Sequence, residues 1–198
     1  GFMAERRILI TGAASGIGAA AARAFAAPGV ALMLHTRGNR EGLARVAVAA
    51  REKGARVAEA FADFTEAEAP ARLVAESVAA LGGLDVVVAN AGFADRTQIS
   101  ALTDAGFAKS HEAITFSLLR LARAAAPHLA AGDDPRLIAV SSFVAHLFRN
   151  DVTTFPASAA AKAAVEAAVA ESKTFMARAR TMSALLAANG ITMAVPAN

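Results

Sequence analysis

The strongest constraint in this chain is an alternation of two kinds of segment. Short apolar runs of strand length occur at "RILIT" (7–11), "VALMLH" (30–35), "LDVVVAN" (84–90) and "RLIAVSS" (136–142). "ARVAEAFAD" (55–63) adds a strand that alternates, and "ITMAV" (191–195) closes the series. Between them lie stretches with helical character at 19–29, 40–54, 66–83, 103–131 and from about 157 to 189. In 40–54, Leu43, Val46, Ala47 and Ala50 fall on one face, and Gly54 stands where a helix C-cap belongs. A strand that is apolar throughout must be covered on both faces. The predicted fold is therefore α/β: a doubly wound parallel sheet between two helical layers. Sheets of this kind bind ligands beyond the carboxyl ends of their strands.

The first such end carries "TGAASGIG" (11–18). Gly12 allows a tight turn, Gly16 lets a pyrophosphate approach the backbone, and Gly18 lets helix pack on strand. The helix N-terminus that follows offers free N–H groups and a positive dipole end to an anion. A nucleotide is the expected ligand.

Composition removes several other function classes. The 198 residues suit one domain over 1–198, with residues 1–5 read as a tag or a disordered start. Apolar residues reach 56%, much of it alanine, yet Arg23, Glu76 and Arg123 interrupt the candidate membrane spans. The opening "GFMAERR" lacks the apolar core of a signal peptide. With no cysteine there is no disulfide frame or thiol ligand, no metal site is expected, and a cytoplasmic location is. The net charge of +3 is spread along the chain, which does not suggest a nucleic-acid partner. The chain also contains no tyrosine.

Four motifs, taken together, resemble the short-chain dehydrogenase/reductase family. Gly-x-x-x-Gly-x-Gly with Thr11 before it is one. "ADF" (62–64) after the third strand is another, and "ANAG" (89–92) after the fourth has Ala89 in place of the first asparagine. "AVSS" (139–142) at the fifth strand end is the last. The resemblance runs from about Arg6 to Lys162, and more loosely to Val195. It implies a Rossmann-type three-layer α/β/α fold, here short at its C-terminal end, since members normally continue past the sixth strand. It also implies a cofactor set of Thr11, Gly12, Ser15, Gly16, Ile17, Gly18, Arg37, Asp63, Asn90, Ala91, Gly92 and Lys162. Where an acidic residue after the second strand would favour NAD, "LHTRGNR" offers Arg37 and Arg40. A guanidinium pairs well with a 2′-phosphate, so NADP(H) is the expected cofactor and NAD(H) the alternative.

The same resemblance implies a serine, a tyrosine, a lysine and a helical asparagine as catalytic residues. Ser142 and Lys162 match the serine and the lysine. Four residues before Lys162 stands Ser158, whose hydroxyl is shorter and far less acidic than a phenol. Ile114 falls at the asparagine position. Substitute proton donors are His146 in the stretch 143–158, which also holds Arg149 and Asp151, then His111, then a water held by Ser158. Ser158 also reads as an ordinary helix N-cap or first-turn residue. His35 and His128 read as strand-end and helix-end residues. Two functions remain open at this level. One is an oxidoreductase acting on a small carbonyl or alcohol substrate; the other is a weakly active or inactive nucleotide-binding protein, sensor or structural. The resemblance further implies a homodimer or homotetramer packed through 103–131 and 157–189, where alanines such as Ala163, Ala164, Ala167 and Ala168 would allow close approach.

Overall fold

A computed structural model describes residues 5–132, 134–146 and 153–170. Its centre is a parallel sheet built from β1 (Arg6–Ile10), β2 (Val30–Thr36), β3 (Arg56–Phe61), β4 (Val86–Ala89) and β5 (Arg136–Ala139). Their order is β3-β2-β1-β4-β5. Every pairing is parallel, with Ile8 opposite Leu32 on one side and Val86 on the other. The order reverses between β1 and β4, which opens a crevice at their carboxyl ends.

The apolar runs are strands because both of their faces are covered. One core joins Ile8, Ile10, Leu32, Leu34, Val86 and Val88 to helices α1 (Gly16–Phe25) and α2 (Arg40–Glu52). The other joins Leu9, Met33, Ala60 and Val87 to α3 (Ala69–Leu81) and to Leu121, Ala125 and Leu129 of a later helix. That later segment starts as α4 (Asp104–His111), passes through a π-helical turn (Glu112–Phe116) and continues as α5 (Ser117–Ala130). Helix α6 (Pro156–Ala170) packs Ala161 and Val165 on Ile114 and Leu118. β3 is an edge of the described sheet and keeps polar residues, with Arg56 bound to Glu5 and Glu59 to Arg51. This explains its alternating sequence.

Two boundaries differ from expectation. The first helix starts at Gly16 and ends at Phe25, several residues ahead of the predicted 19–29, because the glycines of the turn themselves enter the first helical turn. The predicted continuous helix over 103–131 contains five residues of π-helix, and Pro127 lies inside α5. The strand at 191–195, the helix beyond Ala170, and Arg149 and Asp151 lie outside the described residues.

Candidate active site

Gly12 sits at φ +66°, the left-handed region. A Cβ there would meet Asn90 Nδ2 at 2.9 Å and Ala91 Cα at 3.0 Å. A Cβ on Gly18 would collide with the Gly12 carbonyl, whereas one on Gly16 would meet nothing within 4 Å. The turn is thus packed tightly against β4 and its helix while its outer side is open. Thr11 and Asn90 do the packing. Thr11, fully buried, accepts from the Asn90 and Ala91 amides at 3.0 and 2.9 Å and donates to the Val88 carbonyl at 3.3 Å. Asn90 Nδ2 donates to the Thr11 and Gly12 carbonyls at 3.0 and 3.1 Å. His35 grips the turn from β2: the Gly12 amide points at its Nδ1, 3.4 Å away, and its Nε2 lies 3.0 Å from the Ala62 carbonyl. The α1 N-terminus has no acidic residue in its first turn, and its cap residue Ser15 makes no capping bond. By contrast Asn39 and Thr103 close the ends of α2 and α4. An open, positively polarised helix end with a glycine at its mouth fits a pyrophosphate.

At the far side of the sheet end, the Lys162 Nζ donates to the Val140 carbonyl at 2.6 Å. Burial lowers its pKa to about 8, with the Glu166 carboxylate opposing the shift. A cavity of about 10 Å³ bordered by Thr11, Ala91, Ile114, Val140 and Lys162 joins the lysine to the base of the glycine turn. Ser142 follows β5 in extended conformation and leads into a 3₁₀ turn (Phe143–Ala145). On the other flank, Asp63 accepts from the Thr65 amide and hydroxyl at 2.9 and 2.8 Å. The Thr65 amide bond is the main cause of its lowered pKa, with Arg37 adding to it. Arg37 and Arg40 are exposed beyond β2, and the Arg40 guanidinium lies 3.9 Å from the centre of the Phe61 ring.

Residues 6–192 match the family described as short chain dehydrogenase. The chain belongs to the short-chain dehydrogenase family. A cis-4-hydroxycyclohexanecarboxylate dehydrogenase of Sinomonas cyclohexanicum is 33% identical over 158 residues, which is 79% of this chain and 63% of that enzyme. The chain therefore spans less than two thirds of that relative. A Burkholderia cenocepacia short chain dehydrogenase in complex with NADP superposes with a TM-score of 0.77 at 26% identity, covering 98% of this chain and 73% of the other. An NADH-dependent reductase complexed with NAD does so with a TM-score of 0.77 at 28% identity, covering 90% and 76%.

Of the residues singled out from the sequence, the short-chain dehydrogenase fold brings Thr11, Ala91, Ile114 and Lys162 around one cavity. Ser158 is neither an N-cap nor a group open to the cleft. It lies in the first turn of α6 and is 5% exposed. Its hydroxyl accepts from the Asp95 amide at 2.9 Å and donates to the Phe93 carbonyl at 3.2 Å. With both bonds made to backbone, the hydroxyl anchors the 93–95 loop. His146 is likewise engaged, with Nε2 2.6 Å from a Glu166 carboxylate oxygen whose twin accepts from Ser141. His111 Nδ1 pairs with Thr115 Oγ1 at 3.1 Å, and its ring tilts against Phe107. Ile114 does face the lysine cavity. Sequence reasoning missed Glu166, although its place four residues after Lys162 on one helix put both on the same face. It also took His35 only as a strand-end residue.

Proposed function

We propose that this chain is an NADP(H)-dependent oxidoreductase acting between the carbonyl and alcohol forms of a small molecule, with NAD(H) as the alternative cofactor. The observation that carries the reading is one crevice holding two unlike features. One is an open helix N-terminus at the glycine turn; the other is a buried lysine titrating near 8. The nicotinamide, when bound, supplies or accepts the hydride. The amides of Gly16, Ile17 and Gly18 would hold the pyrophosphate, and Arg37, with no carboxylate at the end of β2, would take a 2′-phosphate. Ala91 and Gly92 line the approach to Lys162; a Cβ on Gly92 would lie 3.7 Å from Nζ. Ser142 orients the substrate oxygen. Carbonyl reduction also consumes one proton, and with Ser158 bonded into its loop, Lys162 is the group in the described crevice poised to exchange it near neutral pH.

The test is NADPH binding by fluorescence, followed by NADPH oxidation against a panel of ketones and aldehydes. Oxidation of any of them supports the reading, whereas binding with no turnover returns the chain to a nucleotide-binding role. We also read the chain as a cytoplasmic homodimer or homotetramer. Phe107, Phe116 and Leu119 stay about 40% exposed along α4, the π turn and α5, and sedimentation decides the point.

A further inference from the structure

We propose that His35 is a positioning residue for the dinucleotide site: a neutral imidazole that fixes the glycine turn and ties it to the loop after β3. What the turn holds rests on the function proposed above; the positioning itself is a property of this chain alone.

His35 is the second-last residue of β2 and is 2% exposed. A polar ring in a strand of apolar residues is costly to bury unless both nitrogens find partners. Here each has one, and the two partners differ in kind. The Gly12 amide can only donate, so Nδ1, 3.4 Å away, must be the acceptor. The single ring proton then sits on Nε2 and is donated to the Ala62 carbonyl at 3.0 Å. Only this neutral tautomer satisfies both bonds, because an imidazolium would set a proton on Nδ1 against the Gly12 proton. Phe64 stacks on the ring at 4.6 Å between centroids and 11° between planes, which fixes the ring plane. Burial acts in the same direction, pushing the imidazole below its ordinary range.

The main chain of the same residue completes the grip, since the His35 carbonyl accepts from the Ala13 amide at 2.8 Å. Gly12, at φ +66°, is therefore held from two strands. Asn90, after β4, binds its carbonyl, and His35, on β2, binds its amide. Through Ala62 the same ring reaches the loop that carries Asp63. The pyrophosphate side and the opposite flank of the crevice are thus joined by one side chain. The charged groups on the strands and loops around the ring are Arg6 and Arg7 of β1, Arg56 and Glu59 of β3, Asp63 and Arg37. Arg6 pairs with Asp134, Arg7 with Asp85, Arg56 with Glu5 and Glu59 with Arg51; Asp63 is bonded to Thr65, and Arg37 is exposed past the strand end. Both ring nitrogens are left to the backbone.

The experiment uses the full chain, ¹⁵N-labelled, as wild type, His35→Gln and His35→Phe. Glutamine keeps an acceptor and a donor without titrating; phenylalanine keeps the stack and loses both bonds. Long-range imidazole spectra are expected to show the Nε2–H tautomer, titrating below the ordinary histidine range. Exchange of the Gly12 amide should be about five- to tenfold faster in His35→Phe and close to wild type in His35→Gln. By calorimetry, NADP⁺ should bind His35→Phe about tenfold more weakly. Acidification through the pH at which the ring itself titrates in those spectra should weaken NADP⁺ binding to the wild type more than to His35→Gln, which controls for the titration of the 2′-phosphate itself. An Nδ1–H tautomer, equal Gly12 exchange in all three proteins, or parallel pH profiles for wild type and His35→Gln would each overturn the proposal. Should His35→Phe not fold, the wild type and His35→Gln profiles decide alone. A chain that shows the Nε2–H tautomer and the exchange pattern yet binds no dinucleotide supports the positioning of the turn and sinks the oxidoreductase reading.

Discussion

Replacing Lys162 by methionine should make the protein more stable at neutral pH, and the gain should disappear in alkali. An ordinary lysine titrates at 10.5, and burial brings Lys162 to about 8. At 1.36 kcal/mol per tenfold change, keeping this ammonium charged in the folded chain costs roughly 3 kcal/mol at pH 7. Methionine has a similar shape and no charge, but it gives up the bond to the Val140 carbonyl, worth about 1 kcal/mol. The net gain is about 2 kcal/mol, or about 5 °C in midpoint for a chain of this size. The pH dependence follows from the direction of the shift. Below about 8 the lysine is protonated in both states and the folded form carries the full cost. Between about 8 and 10.5 the unfolded chain binds more protons than the folded one, so wild-type stability rises with pH. Above that window the amine is neutral in both states and the cost is gone. Thermal unfolding of wild type and Lys162→Met at about pH 7 and about pH 10 measures this directly. A variant less stable than wild type at pH 7, or a difference that does not shrink with pH, would refute the reasoning. Loss of NADPH oxidation in the same variant would show that the stability is forgone for chemistry.

Thr11→Val keeps the shape of the side chain but orphans the Asn90 and Ala91 amides, and urea unfolding should show a loss of about 3 kcal/mol. Ser158→Ala removes two bonds to the 93–95 loop; the expected cost is about 1–2 kcal/mol, with faster amide exchange at Asp95 and little change in turnover. Large loss of turnover with stability intact would instead place the hydroxyl in the chemistry. Arg37→Ala should weaken NADPH about tenfold and leave NADH nearly unchanged, as removal of a charge-assisted phosphate contact requires; equal weakening of both would contradict the assignment.

What could be read from the sequence was whatever depends on patterns local to a segment. Ile8, Leu9 and Ile10 are apolar in succession because helices cover both faces of β1, and that succession, repeated in strands that alternate with helices, implies a parallel sheet. Gly12, Gly16 and Gly18 mark the turn because the backbone there needs positive φ or a close approach that a Cβ would block. The π-helical turn at Glu112–Phe116 left no such mark. A single extra residue in a helix is set by packing against α6, not by propensity. Partnerships between distant segments were invisible for the same reason. Ser158 is 65 residues from Phe93, so nothing in "FPASAAAK" (155–162) could show that its hydroxyl was already engaged. Reading a missing tyrosine as a missing acid treats the position as if it stood alone. In the folded chain the Ser158 hydroxyl is bonded to the loop after β4, and the lysine four residues on titrates beside the crevice. The proposed catalysis is therefore best tested from Lys162, a buried ammonium, and from what holds Gly12 at positive φ.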